Sequence, residues 1–277
     1  MELGSGFSTI VSCPVAGRNV LLFYNINTGA MVIASLYGKA TLTVLHKYTF
    51  SPGWTHVVWS NGRVLFYNEY NGVAAIGSIN PRGWVFTQTA VLPGNVLGPG
   101  WVDILSAGNH LWFHRLQEGW DLIARLTSTA VVAESRTWHW EEGRVIMVAE
   151  RDIVAGYSVD YRKRASISFV RIGYDGGFYG LYPWSETDPD WSTILLSNGF
   201  ILYYDDGVGG GKIIDPDGYR YWIDDLPSTP ANIGTAWTHL VAVGIYILFY
   251  AEYNGTAATG SIGPGGEFSG ETKLTIE

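Results

Sequence analysis

Two stretches of this chain, far apart in the sequence, repeat one another almost residue for residue. Residues 53–79 read GWTHVVWSNGRVLFYNEYNGVAAIGSI, and residues 236–262 read AWTHLVAVGIYILFYAEYNGTAATGSI. Trp54 and Trp237, the second residue of each copy, are separated by four steps of about 46 residues. A period of this length indicates a supersecondary unit that also recurs between the two copies.

The intermediate steps of this spacing carry related stretches. Phe7 opens FSTIVS, Trp101 opens WVDILS and Trp191 opens WSTILLSNG. Residues 136–147 match residues 55–66, which places the start of a fourth unit at residue 135. We therefore predict one domain over residues 1–277, built from six units with bounds of about 7–53, 54–100, 101–134, 135–190, 191–236 and 237–277.

Each unit contains the pattern of four short β-strands. In the second unit, runs rich in β-branched and aromatic residues occupy 54–59, 63–68, 73–79 and 84–91, with turn residues between them. Closing such sheets into a ring removes most exposed strand edges. We predict an all-β fold, a six-bladed β-propeller of four-stranded antiparallel blades. Its chain would begin with an innermost strand and end with an outermost one over residues 273–277, so that no blade is shared between the termini.

The repeated GWTH, LFYN and TG phrases resemble those of bacterial and fungal β-propeller repeat proteins, and more loosely those of the tachylectin and tectonin-type propeller lectins. The resemblance covers essentially the whole chain. It implies a non-catalytic, lectin-like protein that binds glycans, or another small polar ligand, on the loop-rich face of the propeller. The high aromatic content, 14% of all residues, is compatible with that function because aromatic rings stack on sugars.

Composition excludes several other classes of protein. A net charge of −8 argues against a binder of nucleic acid or of an anionic membrane. The apolar run at residues 240–251 is too short to span a bilayer, and the single cysteine rules out an internal disulfide framework. The sequence MELGSGFSTI has no signal-peptide pattern, which predicts a cytoplasmic protein or one released without a classical signal. No motif predicts a cofactor.

The third residue of each predicted innermost strand is polar, although its neighbour is apolar. One interpretation is that each side chain bonds a backbone group of the next blade. The other is that these side chains line the mouth of the axial channel and contact a ligand, where two histidines and a carboxylate can also hold a metal ion. The residues are Thr9, His56, Asp103, Thr137, Thr193 and His239.

A second polar column lies at the end of each predicted second strand. Its amide, guanidinium and carboxylate groups can hydrogen-bond sugar hydroxyls while an aromatic ring stacks beneath the sugar. The tyrosines that precede these positions are predicted to pack in the core. The candidate ligand-binding residues of this column are Asn25, Asn68, Arg115 and Asp205.

The six units are unequal, and this favours an alternative hypothesis. The third and fourth units lack the Phe-Tyr-Asn phrase and gain ionisable residues. A multivalent binder needs similar copies, whereas one active site needs different groups in different places. The alternative is therefore an enzyme with a single asymmetric active site at the mouth of the axial channel, with metal assistance as an option. The ionisable residues gained are His114, Arg115, Glu118, Glu141, Glu142 and Arg144.

Overall fold

A computed structural model of the protein describes residues 3–115, 121–137, 144–150, 153–159, 165–172, 178–187, 191–214, 229–235 and 237–276. These residues form β-strands almost throughout, and the one helix among them, α1 (Gly94–Leu97), is a single turn. No helix in the described part of the chain is long and apolar enough to cross a membrane.

The described strands form six antiparallel sheets in chain order, each a meander from an innermost to an outermost strand. The first sheet contains β1 (Thr9–Val15), β2 (Arg18–Tyr24), β3 (Ala30–Tyr37) and β4 (Thr41–Thr49). The second contains β5 (His56–Ser60), β6 (Arg63–Tyr67), β7 (Ala74–Asn80) and β8 (Val85–Leu92). The third contains β9 (Asp103–Ala107), β10 (His110–His114), β11 (Asp121–Leu126) and β12 (Val131–Thr137).

The remaining three sheets follow the same order. The fourth contains β13 (Arg144–Glu150), β14 (Ile153–Val159), β15 (Ala165–Ile172) and β16 (Phe178–Thr187). The fifth contains β17 (Thr193–Ser197), β18 (Phe200–Asp205), β19 (Gly210–Ile214) and β20 (Thr229–Asn232). The sixth contains β21 (His239–Val243), β22 (Tyr246–Ala251), β23 (Thr256–Ile262) and β24 (Phe268–Lys273). A last strand, β25 (Thr275–Ile276), joins the first sheet.

The first strands of the sheets surround a common axis. β1, β5, β9, β13, β17 and β21 each contact the next in chain order, and β21 contacts β1. The predicted all-β propeller is thereby confirmed. The start of each first strand, the end of each second strand and the turn to the third strand lie at one end of the ring, which we call the loop face.

The hydrophobic core lies between neighbouring sheets, as the sequence of the second strands requires. Residues 20–24, 64–67 and 247–250 are fully buried, so both faces of each second strand pack against protein. One core cluster joins Leu22 of the first sheet to Phe66 of the second. Continuous apolar runs therefore replace the alternating pattern that a half-exposed strand would show.

In the four described turns that follow a second strand, a glycine fixes how closely the sheet approaches the connection to the next. Gly72 has a φ of 73°, in the left-handed region that glycine adopts most easily. A Cβ atom built on Gly72 would lie 2.6 Å from the carbonyl oxygen of Gly94 and 2.6 Å from the carbonyl carbon of Gly98. Three more glycines repeat this combination of positive φ and backbone contact: Gly29, Gly209 and Gly255.

The predicted boundary between the third and fourth units is wrong by one strand. We matched residues 136–147 to a hairpin that opens a unit, but Thr137 ends β12, the outermost strand of the third sheet. Arg144, expected in a second strand, instead begins β13, the innermost strand of the fourth sheet. Any two consecutive strands give the same strand–turn–strand pattern in the sequence. A sequence match can therefore be displaced by one strand and still align strands with strands.

The ring closes differently from the prediction. The outermost strand of the sixth sheet is β24, which ends at Lys273, and the following residues cross to the first sheet. Thr275 pairs in parallel with Thr41 on the outer edge of β4, and the backbone N–H of Thr275 donates to the carbonyl of Ala40 at 2.9 Å. Leu274 is buried in the core cluster between the sixth and first sheets. The C-terminal strand thus covers an edge and ties the two sheets together.

We expect Leu274→Ala to lower the free energy of unfolding by about 2 kcal/mol, because a buried leucine is truncated at this junction. Chemical denaturation of both proteins measures the change. Ile276→Ala is the control, since Ile276 is partly exposed and packs at the periphery of the same cluster. An equal loss in both variants would show that Leu274 has no special part in closure.

Candidate functional site

The two histidines of the first polar column bond the backbone of the neighbouring sheet. His56 Nε2 lies 2.9 Å from the carbonyl oxygen of Val102, and His239 Nε2 lies 3.0 Å from that of Ser8. A carbonyl only accepts, so Nε2 is the donor in both rings. Both histidines therefore fit the first interpretation of this column, in which each side chain bonds a backbone group of the neighbouring sheet. They do not meet, because His56 reaches the third sheet and His239 reaches the first.

The other members of this column separate into two groups. Thr9, Asp103 and Thr193 begin innermost strands, as predicted, and are half-buried there. Thr137 does not belong to the column, because it lies in the outermost strand of the third sheet. The polar column is therefore present on the first strands of five sheets, and Thr137 does not extend it to the fourth sheet.

The second polar column caps the turns between second and third strands. Asn68 Oδ1 accepts the backbone N–H groups of Tyr70 and Asn71 at 3.0 and 3.2 Å, and its Nδ2 donates to the carbonyl of Gly53 at 2.7 Å. Asn25 makes the equivalent three bonds in the first sheet. Asp205 Oδ1 accepts the N–H groups of residues 207 and 208. These polar groups already have backbone partners, which weakens their assignment to sugar recognition.

Arg115 differs from the rest of this column. Its guanidinium carbon lies 4.0 Å from the centroid of the Trp101 ring, a cation–π contact. Trp101 is buried, packs against Phe113 with centroids 5.5 Å apart, and donates from Nε1 to the carbonyl of Leu97 at 3.0 Å. The arginine is thus held over a core aromatic ring where the second sheet connects to the third.

A column of hydroxyl groups, not predicted from the sequence, lies one residue before the polar column of the innermost strands. Thr55 Oγ1 donates to the carbonyl of Tyr67 at 3.1 Å and accepts the N–H of Glu69 at 2.9 Å. These bonds join the start of one strand to the turn after the next. The signal was visible in sequence as a serine or threonine before four of the six polar residues, the exceptions being Val102 and Arg136. The same arrangement is formed by Ser8, Ser192 and Thr238.

Four of the sheets share a row of side chains that runs across their first three strands and has a tyrosine at its centre. In the second sheet His56 pairs with Tyr67, which pairs with Ala74. The Tyr67 hydroxyl donates to the carbonyl of Gly98 at 2.8 Å, in the connection to the third sheet. The same row reads Thr9–Tyr24–Met31, Thr193–Tyr204–Gly211 and His239–Tyr250–Ala257 in the first, fifth and sixth sheets.

In the third sheet this row reads Asp103–His114–Asp121, and we call it the acid–histidine row. Asp103 pairs with His114 across β9 and β10, and Asp121 begins β11 beside them. His114 Nδ1 lies 2.7 Å from Asp121 Oδ1. His114 is 4% exposed and Asp121 is 1% exposed, so this is a buried pair. His114 Nε2 is also buried, and it has no hydrogen-bond partner among the described residues.

The acid–histidine row faces the fourth sheet. Phe113 and Leu122 belong to the core cluster that the third sheet forms with the second. Because successive strand residues point to opposite faces, His114 and Asp121 point the other way. β9 contacts β13 on that side. The row thus runs outward from the axis, along the interface between the third and fourth sheets.

Asp103 is the member of the row closest to the axis. Burial raises the pKa of its carboxyl group, while the nearby His114 and His56 lower it, and Asp121 and Glu69 raise it further. Asp103 therefore shares one electrostatic environment with a histidine of its own sheet and one of the second sheet. His56 and His114 are thus the histidines that influence the Asp103 carboxyl group, whereas His239 bonds the backbone at Ser8.

The same face of the third sheet carries a second ion-paired group towards its other end. His110 is buried, and its Nε2 lies 2.8 Å from Glu134 Oε2. The other oxygen of Glu134 pairs with the guanidinium of Arg125. Among the described buried residues, the titratable polar ones are His110, His114 and Asp121, all on this face. This face of the third sheet is therefore unusual among the described sheet faces in burying histidine and carboxylate side chains.

The hypothesis of a metal ion at the mouth of the axial channel receives no support from the described residues. They contain no group of three or more histidine, cysteine, aspartate or glutamate side chains placed to hold a metal ion. Three ionisable residues that favoured an active site lie outside the described residues: Glu118, Glu141 and Glu142. Arg144 lies in β13.

Comparisons with known proteins establish the fold and no family. No protein-family model matches the chain, and no curated protein matches it. A protein of known structure from Lactobacillus plantarum is 13% identical, with a TM-score of 0.59 over 100% of this chain and 87% of that one. Two proteins described as candidate 6-phosphogluconolactonases are each 12% identical with a TM-score of 0.58. The Bacteroides fragilis protein covers 96% of this chain and 84% of its own, and the Bacteroides uniformis protein covers 97% and 85%.

These likenesses are to propellers, and none of the three proteins is described as a lectin. The lectin resemblance of the repeat phrases is therefore a likeness of propeller repeats, and a lectin function is not shown. At 12–13% identity the comparisons show the fold alone.

Proposed function

We propose that the six sheets form the six blades of an enzyme-like propeller with one asymmetric site, the acid–histidine row of the third blade. The observation that carries this proposal is the buried His114–Asp121 pair, which occupies a position where four other blades have a tyrosine. A tyrosine in this row ties one blade to the next connection. A carboxylate-paired histidine instead suits proton transfer.

The roles of the three side chains follow from their contacts. Asp121 accepts from His114 Nδ1–H, which fixes the ring and leaves the lone pair on Nε2. A buried nitrogen of this kind normally bonds a water molecule or a ligand. Nε2 would accept a proton from water, and Asp121 would stabilise the imidazolium that forms. Asp103, nearer the axis, would bond a hydroxyl group of the substrate.

The reaction class best suited to this arrangement is hydrolysis of a small ester or lactone. A water molecule gives one proton to Nε2 while its oxygen bonds to the carbonyl carbon, and the π electrons of the carbonyl group move to the carbonyl oxygen. The C=O bond then re-forms as the ester C–O bond breaks, and the proton passes from the imidazolium to the leaving oxygen. A sugar lactone is the first substrate to test, because the two Bacteroides propellers of the same fold are described as candidate 6-phosphogluconolactonases.

The glycan-binding hypothesis is less well supported at the residues first selected for it. Asn25, Asn68 and Asp205 cap turns, and His56 and His239 bond neighbouring backbone. A ligand would have to replace those bonds. Carbohydrate recognition by this chain therefore needs other side chains.

We expect His114→Gln to lower kcat/KM for lactone hydrolysis at least 100-fold, the usual contribution of a positioned general base being about 100- to 10,000-fold. Glutamine keeps a donor for Asp121 but cannot take up a proton. Hydrolysis of gluconolactones, γ-lactones and aryl esters is followed above the spontaneous rate in mildly acidic buffer.

His46→Gln provides the matched control, because His46 lies on an outer strand of the first sheet, away from the acid–histidine row. It should leave both the rate and the pH profile unchanged. No hydrolysis by the unaltered protein, or equal rates for His114→Gln and the unaltered protein, would overturn the proposed function.

A further inference from the structure

Two tyrosines on the loop face are exposed to solvent and lie in hydrogen-bonded turns. Tyr70 is 78% exposed and Tyr253 is 68% exposed, which makes them two of the most exposed large hydrophobic residues in the described chain. Each stands in an identical Glu-Tyr-Asn-Gly turn, after the second strand of the second and sixth sheets. These are the two sheets that flank the first sheet in the ring.

The turns that carry these tyrosines are fixed from both ends. In the second sheet the N–H of Gly72 donates to the carbonyl of Asn68 at 2.9 Å, and the carbonyl of Glu69 accepts the N–H of Gly100 at 2.7 Å. In the sixth sheet the carbonyl of Glu252 accepts the N–H of Gly6 at the same distance. Each turn is thereby bonded to the connection that leads into the next sheet.

This rigidity lowers the entropic cost of binding at the tyrosine rings. The backbone beneath each ring is ordered before a ligand arrives, and a tyrosine has few rotatable bonds to immobilise. In the first and fifth sheets the corresponding position is occupied by Asn27 and Gly207. Among the four described turns of this kind, an exposed aromatic ring therefore stands in those of the second and sixth sheets.

The chemistry around the rings selects the class of ligand. A flat aromatic face stacks on the apolar face of a pyranose ring, and the tyrosine hydroxyl and a carboxylate bond sugar hydroxyls. Glu69 supplies that carboxylate beside Tyr70, and its hydrogen bond to the Tyr70 hydroxyl raises the pKa of Tyr70. The neighbouring glutamates and the net charge of −8 disfavour sulfated or uronic-acid glycans.

We propose that Tyr70 and Tyr253 are two equivalent binding sites for neutral pyranose chains on the loop face. The proposal is independent of the reaction assigned to the acid–histidine row, because it uses different residues on different blades. It goes beyond that reaction by assigning the protein a carbohydrate-binding function.

Short oligosaccharides test the number of sites directly, since a trisaccharide occupies one ring at a time. Cellotriose and chitotriose are titrated into the unaltered protein, and binding is followed by calorimetry and by saturation-transfer NMR. We expect two equivalents of one of these sugars to bind the unaltered protein. Tyr70→Ala and Tyr253→Ala should each bind one equivalent with an unchanged dissociation constant, and the double variant should bind none.

Tyr37→Ala is the matched control, because it removes a tyrosine that is 45% exposed but whose hydroxyl accepts from Arg18 at 2.7 Å. It should retain both sites, as should His114→Gln, which separates this test from that of the proposed hydrolysis. Failure of the unaltered protein to bind either sugar at millimolar concentration would overturn the proposal. Two sites remaining in the double variant would do the same.

Discussion

Asp121→Ala alone should destabilise the folded protein by about 3 kcal/mol, because it leaves the buried Nδ1–H group of His114 without its hydrogen-bond partner. Asp121 and His114 are 1% and 4% exposed, so the lost carboxylate is not replaced by bulk solvent in the folded protein. His114 Nδ1 would then lose its partner at 2.7 Å. Urea unfolding followed by tryptophan fluorescence measures the change.

Replacing both members of the pair should cost much less. His114→Tyr with Asp121→Ala converts the row into the Tyr67–Ala74 pattern of the second sheet. Substituting a whole buried pair by well-packed residues is often neutral or stabilising. We expect the double variant to be more stable than Asp121→Ala and to lack hydrolytic activity.

A double-mutant cycle supplies the control for this pair. His114→Tyr alone completes it, and the coupling free energy follows from the four measured stabilities. A double variant as unstable as the sum of the two single variants would show that the side chains act independently. In that case His114 and Asp121 would contribute to the stability of the third blade with no coupling free energy between them.

Gly72→Ala should lower the free energy of unfolding by about 3 kcal/mol, the combined cost of left-handed backbone and steric overlap. The added Cβ would meet backbone atoms of Gly94 and Gly98 at 2.6 Å, and backbone cannot rotate away as a side chain can. The turn and α1 would have to separate, which disturbs the packing of the second sheet against the third.

Gly62→Ala isolates the steric part of this effect. Gly62 has a φ of 74°, almost that of Gly72, yet a Cβ there would meet no atom within 4 Å. We expect it to cost about 1–2 kcal/mol, from backbone conformation alone. The difference between the two variants in thermal and urea unfolding gives the contribution of the close approach. Equal losses would contradict a steric role for Gly72.

The strands and their order could be predicted because their signals are local. The turn residues around Asn71 and the apolar run at residues 64–67 act within a few positions of the chain. The boundary near Thr137 could not, because the pattern of a hairpin is the same whether its strands belong to one sheet or to two. The pairing of Asp121 with Thr137 across β11 and β12 settles it.

The candidate site was likewise predicted in part from local signals, while its contacts depend on tertiary structure. The polar columns at His56 and Asn68 were found from the repeat, but their bonds to backbone atoms depend on how the sheets approach each other. His114 was noticed because it breaks the repeated phrase. Its partner Asp121 gave no signal, since the residues between them interrupt the spacing of the other units.

The sequence by itself determined that this chain is a ring of short antiparallel strands, since the repeat length, the alternation of strands and turns, and the glycines at the turns are all local. The tertiary structure alone placed Asp103, His114 and Asp121 in one row and carried Thr275 to the edge of the first sheet. The physical reason is register. Which side chains meet across strands depends on pairings between distant residues, and a slip of one residue would turn each of them to the opposite face.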